Sequence, residues 1–108
     1  MIKTTFYKNS SDKYVGFSVK GHAGYADYGN DIVCAGVSTL TINTINSIEA
    51  FTDNVYKTDI DDKGQIKFKF EKEADEKGQL LIRSLELGLT GIMKDYGKKY
   101  VEVHYKEV

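Results

Sequence analysis

Gly21-His22-Ala23-Gly24-Tyr25 and, three residues on, Gly29-Asn30-Asp31-Ile32-Val33-Cys34-Ala35-Gly36-Val37-Ser38 mark a change of period in this chain. Upstream, Val15, Phe17 and Val19 alternate with Gly16, Ser18 and Lys20, the pattern of a strand with one buried face. Downstream, Val33, Val37, Leu40, Ile45, Ile48 and Phe51 fall on a broad apolar side, which predicts a helix from Asp31 to about Thr52. Between them Gly21 to Asn30 reads as a loop whose glycines permit conformations that a side chain disfavours. Asn30 or Asp31 can cap the helix by accepting hydrogen bonds from its first N–H groups. The helix is rich in Thr, Asn and Ile, so tertiary packing must hold it.

Working outward, Ile2 to Lys8 is β-rich, and the turn cluster Asn9-Ser10-Ser11-Asp12 predicts a hairpin with Tyr14 to Lys20. Val55 to Asp61 and Gln65 to Glu71 read as a second hairpin around Asp62-Lys63-Gly64. Glu73-Ala74-Asp75-Glu76 opens a second helix with acid against its dipole. Leu80, Leu81, Leu85, Leu87, Leu89, Ile92 and Met93 supply that helix's apolar side, and Gly97 suits an αL position that ends it. Lys98 to Lys106 alternates again as a last strand. The order ββαββαβ is an α+β layout: one domain over 1–108, with an antiparallel or mixed sheet packed with two helices.

Composition narrows the class. The 108 residues are 41% hydrophobic and 29% charged, the proportions of a globular domain. A formal net charge of −1 and a pI near 6.1 leave no global footprint for nucleic acid or an anionic membrane. One cysteine forms no internal disulfide, and no Cys/His spacing suggests zinc, so neither metal nor cofactor is expected. The first residues lack the apolar core of a signal peptide, and no apolar run is long enough to span a bilayer. A cytoplasmic protein is therefore expected.

The chemistry concentrates in the opening stretch, which holds the only cysteine and one of two histidines. Cys34 falls in the first helical turn, where free N–H groups and the positive dipole end favour thiolate over thiol. A protonated His22 brought alongside would reinforce this and could give its proton to a leaving amine. The same N–H groups, that of Cys34 included, could stabilise a tetrahedral oxyanion. Asp31, one turn before Cys34, caps the helix or orients His22; Ser38 lies one turn beyond. Blander readings exist for each group. A lone cysteine in an apolar run is often an inert core residue. Tyr25 and Tyr28 can simply pack on the sheet, and His104 reads as structural between Val103 and Tyr105. His22, Asp27 and Asp31 lack a supporting metal-ligand pattern, and the charges from Lys57 to Lys77 read as a solvated face.

Gly21-His22-Ala23, Gly-Asn-Asp-Ile-Val-Cys at 29–34 and Ala35-Gly36-Val37-Ser38 resemble the ribosomal-processing cysteine proteases of the Prp or YsxB-like family, over almost the whole length and element order. The resemblance implies a homodimeric endopeptidase that removes an N-terminal extension from a large-subunit ribosomal protein; on charge and composition, no membrane and no direct nucleic-acid partner are expected. By the matching motif His22 would be the base and Cys34 the nucleophile; Asp31 and Ser38 match supporting positions. It also implies a mobile substrate loop, here carrying Gly24, Tyr25, Tyr28 and Gly29. Gly36 stands where members commonly have a second alanine, which predicts a looser first turn. The alternative is a non-catalytic module that binds ribosomal protein or RNA, with Cys34 as core filler.

Overall fold

Alternation in the first residues builds an antiparallel hairpin of β1 (Ile2–Lys8) with β2 (Tyr14–Gly21). The chain then forms α1 (Ile32–Phe51), the antiparallel pair β3 (Tyr56–Ile60) and β4 (Ile66–Phe70), α2 (Glu76–Tyr96) and β5 (Val101–Glu107). The structure, a computed structural model, describes residues 1–27 and 29–108. The five strands lie in the order β3-β4-β2-β1-β5. β4 runs antiparallel to β2, and β5 runs parallel to β1, so the sheet is mixed. Each helix carries the chain to a strand parallel to the one it left: α1 joins β2 to β3, and α2 joins β4 to β5. The two crossovers interleave, which places the first strand inside the sheet.

Register sorts the side chains. Ile2, Thr4 and Phe6 of β1 lie beside Val19 and Phe17 of β2, which lie beside Ile66 and Phe68 of β4. These residues are buried in one cluster with Val33, Val37, Ile45 and Ile48 of α1 and Ile82, Leu85 and Leu89 of α2. Both helices therefore cover one face of the sheet. Leu40 packs against this core at the helix crossing, where a Cβ at Gly88 would come 2.9 Å from its Cδ1 and oblige that side chain to shift. Three buried threonines break the apolar rule, and each offsets its burial with a hydrogen bond: Thr41 Oγ1 donates to the Val37 carbonyl, Thr44 Oγ1 to the Leu40 carbonyl and Thr4 Oγ1 to the Glu102 carbonyl.

Tyr14 shows how a bulge is accommodated. The register of β1 with β2 slips between Tyr7 and Lys8, and β4 pairs with β2 only from Gly16 onward. The Gln79 amide stands in for a strand there, accepting from Tyr14 N–H at 2.8 Å and donating to the Tyr14 carbonyl at 3.0 Å. The Tyr14 hydroxyl donates to Glu86 at 2.7 Å. Burial and the Glu86 carboxylate push the Tyr14 phenol up, and Tyr105 likewise to about 12.

Several expectations are corrected. Phe51, Leu80 and Leu87, read as core residues, are 72%, 61% and 76% exposed. Phe51 is the last residue of α1 and overhangs the core, while Leu80 and Leu87 lie two turns apart on the outer side of α2. The second helix begins at Glu76 rather than Glu73, because the Asp75 side chain accepts from Gly78 N–H and is itself held by Asn54. Gly97 ends α2 with φ 114° and ψ 153°, positive in φ but outside the αL well. Its carbonyl accepts from Tyr100 N–H, so 98–100 turn and β5 starts only at Val101.

Ile48→Ala is expected to destabilise the fold by about 2–5 kcal/mol, whereas Phe51→Ala should stay within about 0.5 kcal/mol, read as urea unfolding midpoints. A Cβ at Gly36 would meet only Ile92 Cδ1 at 3.5 Å, an ordinary contact. Gly36→Ala is therefore expected to stabilise by about 0.5–1 kcal/mol by the same measurement.

Candidate active site

One end of the sheet assembles the site. Ile2, at the start of β1, pairs with Gly21 at the end of β2, and Ile66, at the start of β4, pairs with Val19. The β3–β4 turn must therefore project beyond the same end at which β2 runs out. Gly21 makes the exit. Its φ is 91°, and an added Cβ would fall 2.3 Å from the Met1 carbonyl oxygen, so no side chain fits. The chain leaves the sheet there and presents His22, exposed to solvent, as the next residue.

Asp31 anchors the other side. Its Oδ1 accepts from the N–H groups of Val33 and Cys34, both at 3.0 Å, and its Oδ2 accepts from Tyr25 N–H at 3.1 Å. The Cys34 N–H foremost, with those of Tyr25, Ala26 and Val33, holds the Asp31 carboxyl below the usual carboxylate range against a smaller opposing desolvation. One carboxylate thus caps α1 and ties the loop to it. Of the two caps the sequence allowed, Asp31 is the one used. Both its oxygens are engaged by backbone, and among the described residues no hydrogen bond joins it to His22. The expectation that the Cys34 N–H is free to bind an oxyanion is also corrected, because Asp31 already holds that group.

Cys34 is half-buried against the core, and its sulfur accepts from Ala23 N–H at 3.5 Å. That contact brings the residue after His22 onto the thiol. His22 and Cys34 line one cavity of about 940 Å³, together with Gly24, Gly29, Asp31 and Ser38. Among the described residues no hydrogen bond joins His22 to Cys34. Tyr25 lies elsewhere: its ring stands edge-on to Tyr96 at 5.4 Å and Tyr100 at 5.1 Å and is not among the described residues that line the cavity. The expected place of Tyr28 in the substrate loop falls outside the described residues. His104 pairs with Glu102 at 2.7 Å on β5 and takes no part in the cavity.

The structure adds residues that the sequence did not mark. Asp62, Lys63 and Gly64 of the β3–β4 turn line the same cavity as His22. Nothing local in Asp-Lys-Gly predicts this; it follows from the pairing of β4 with β2. Tyr96 and Tyr100 flank the Gly97 turn and receive Tyr25 across the fold.

This arrangement has relatives. The family model for the cysteine protease Prp matches residues 1–102. The ribosomal processing cysteine protease Prp of Bacillus subtilis is 33% identical over 101 residues, 89% of this chain and 90% of the relative. Crystal structures of the essential ribosomal processing protease Prp from S. aureus superimpose with TM-scores of 0.93, in complex with a covalently linked product peptide, and 0.87, with a substrate peptide. They are 27% and 26% identical, and each alignment covers 98% of this chain and all of the other.

Asp31→Ala is expected to lower Tm by releasing both the cap and the loop. A carboxyl lowered on folding stabilises fully above its unfolded value, near 4, and its contribution is lost as pH falls through the folded value. The Tm gap between wild type and Asp31→Ala, measured by calorimetry, should therefore be full at about pH 6 and narrow below about pH 4. With the family model spanning 1–102 and the fold shared throughout, the chain belongs to the cysteine protease Prp family.

Proposed function

We propose that the chain removes the N-terminal extension of a large-subunit ribosomal protein, with Cys34 as nucleophile and His22 as acid and base. The observation that carries this reading is the shared cavity: the lone thiol and the loop imidazole line one opening, and the sulfur is engaged by the N–H next to that histidine. The Cys34 sulfur attacks the scissile carbonyl carbon and forms a thioester as the C–N bond breaks. His22 protonates the departing amine, then takes a proton from the water that hydrolyses the thioester. The Ala23 N–H already points at the sulfur, so a carbonyl oxygen drawn in beside that sulfur meets a fixed backbone donor. Asp31 positions rather than reacts, and Ser38 lines the opening. Gly24 and Gly29 border it and leave room for an extended peptide to approach.

The relatives point to the substrate class: the Bacillus subtilis one is a ribosomal processing cysteine protease, and the S. aureus structures hold a covalently linked product peptide and a substrate peptide. A cytoplasmic location accords with a ribosomal substrate. No helix among the described residues is long and apolar enough to cross a membrane. We also place a two-fold partner on α2 and β5, where Leu80, Leu87 and Tyr105 remain 61%, 76% and 56% exposed beside an edge strand.

Incubation with a ribosomal protein bearing its extension, read by mass spectrometry, should yield one shortened product. Cys34→Ala and His22→Ala are each expected to lower the rate by about 10³-fold or more while leaving Tm near that of wild type. Retained cleavage in either variant would refute the pair. The double variant Leu80→Glu, Leu87→Glu should sediment as a monomer where the wild type sediments as a dimer.

A further inference from the structure

The uncovered face of the sheet carries a charge that the whole chain does not. Side chains alternate along each strand, so the residues between the core positions all point away from the helices. Register places them in rows. Lys57 of β3, Lys69 of β4, Tyr7 of β1 and Lys106 of β5 share one row with Gly16. Asp59, Lys67, Ser18, Thr5 and His104 form the next. Lys20, Lys3 and Glu102 form the third. The face thus holds six lysines against two carboxylates, in a chain whose fifteen basic and sixteen acidic residues nearly cancel. All six lysines are exposed, and none lies within 4.0 Å of a carboxylate among the described residues. Two pairs, Lys3 with Lys20 and Lys57 with Lys69, stand directly opposite on neighbouring strands. Like charges so placed destabilise a sheet, and folding alone gives no reason to keep them.

We infer that this face binds the sugar–phosphate backbone of single-stranded RNA. The lysines rim a strip of half-buried hydroxyl and imidazole groups, Thr5, Tyr7, Ser18 and His104, in which the Tyr7 and Ser18 oxygens lie 3.3 Å apart. The rim matches phosphates, and the strip offers donors and acceptors to the 2′-hydroxyl that separates RNA from DNA. A second copy of the chain would bring the same positive face against itself. A membrane surface would call for apolar side chains to insert, and the strip has none beyond the Tyr7 ring. The surface lies on the side of the sheet away from the helices and shares no residue with the cavity of His22 and Cys34. RNA binding therefore stands or falls independently of peptide cleavage.

Fluorescence anisotropy with a labelled 20-nucleotide oligouridylate (rU20), on the wild-type chain, tests this. Engagement of all six lysines predicts a slope of log K against log salt near −4, hence a loss of about 250-fold between 50 and 200 mM salt. The variant Lys3→Gln, Lys20→Gln, Lys67→Gln, Lys69→Gln should lose at least about 30-fold at the lower salt and flatten the slope by about 3. The matching four-fold Lys→Arg variant should keep both. Absence of salt-dependent binding, or binding unchanged in the glutamine variant, overturns the inference. So does equal affinity for a 20-nucleotide oligothymidylate or for polyglutamate, or binding to phosphatidylserine vesicles in place of rU20.

Discussion

The Asp31 carboxylate is the constraint on which the site depends. The first turn of any helix presents N–H groups without intrahelical partners. Here two of them, those of Val33 and Cys34, close on one oxygen of Asp31, and the loop's Tyr25 N–H closes on the other. A cap that would ordinarily serve only the helix therefore also sets the path of the segment that follows His22. The Ala23 N–H on the Cys34 sulfur completes the enclosure from the strand side. Cys34 is held between a strand end and a helix start, and rigid elements of that kind place side chains more reproducibly than a free loop does.

The sheet reaches this arrangement through its interleaved crossovers. Since both helices return the chain across the same face, that face collects the phenylalanines and isoleucines, and the opposite one is left to water. The same topology puts the beginnings of β1 and β4 at the end where β2 finishes. A turn more than thirty residues downstream of His22 thereby becomes a wall of its cavity. Site and bare face are consequences of one strand order. The latter needed only to be polar for solubility; its lysine excess is a separate property.

Much of this was legible beforehand. The alternation at Val15, Phe17 and Val19 and the helical spacing of Val33, Val37, Ile45 and Ile48 named both elements that flank the site, and a cap residue before an apolar run located the helix start. Phe51, Leu80 and Leu87 misled because an apolar residue joins a stripe by spacing alone, while burial also requires a neighbour to cover it. Tyr25 was legible as a loop tyrosine but not as the partner of Tyr96 and Tyr100, which lie some seventy residues away.

The chain's own letters determined its element types, their order, and the proximity of a thiol to a helix start, since each rests on residues a few positions apart. Only the tertiary structure decided that β1 lies inside the sheet, that Asp62 to Gly64 reach the cavity, and that Asp31 serves backbone rather than His22. It alone also sorted a nearly neutral charge list into one strongly basic face. These outcomes depend on which distant strands pair and in what register, and that choice is made by the summed burial of the whole core rather than by any local period.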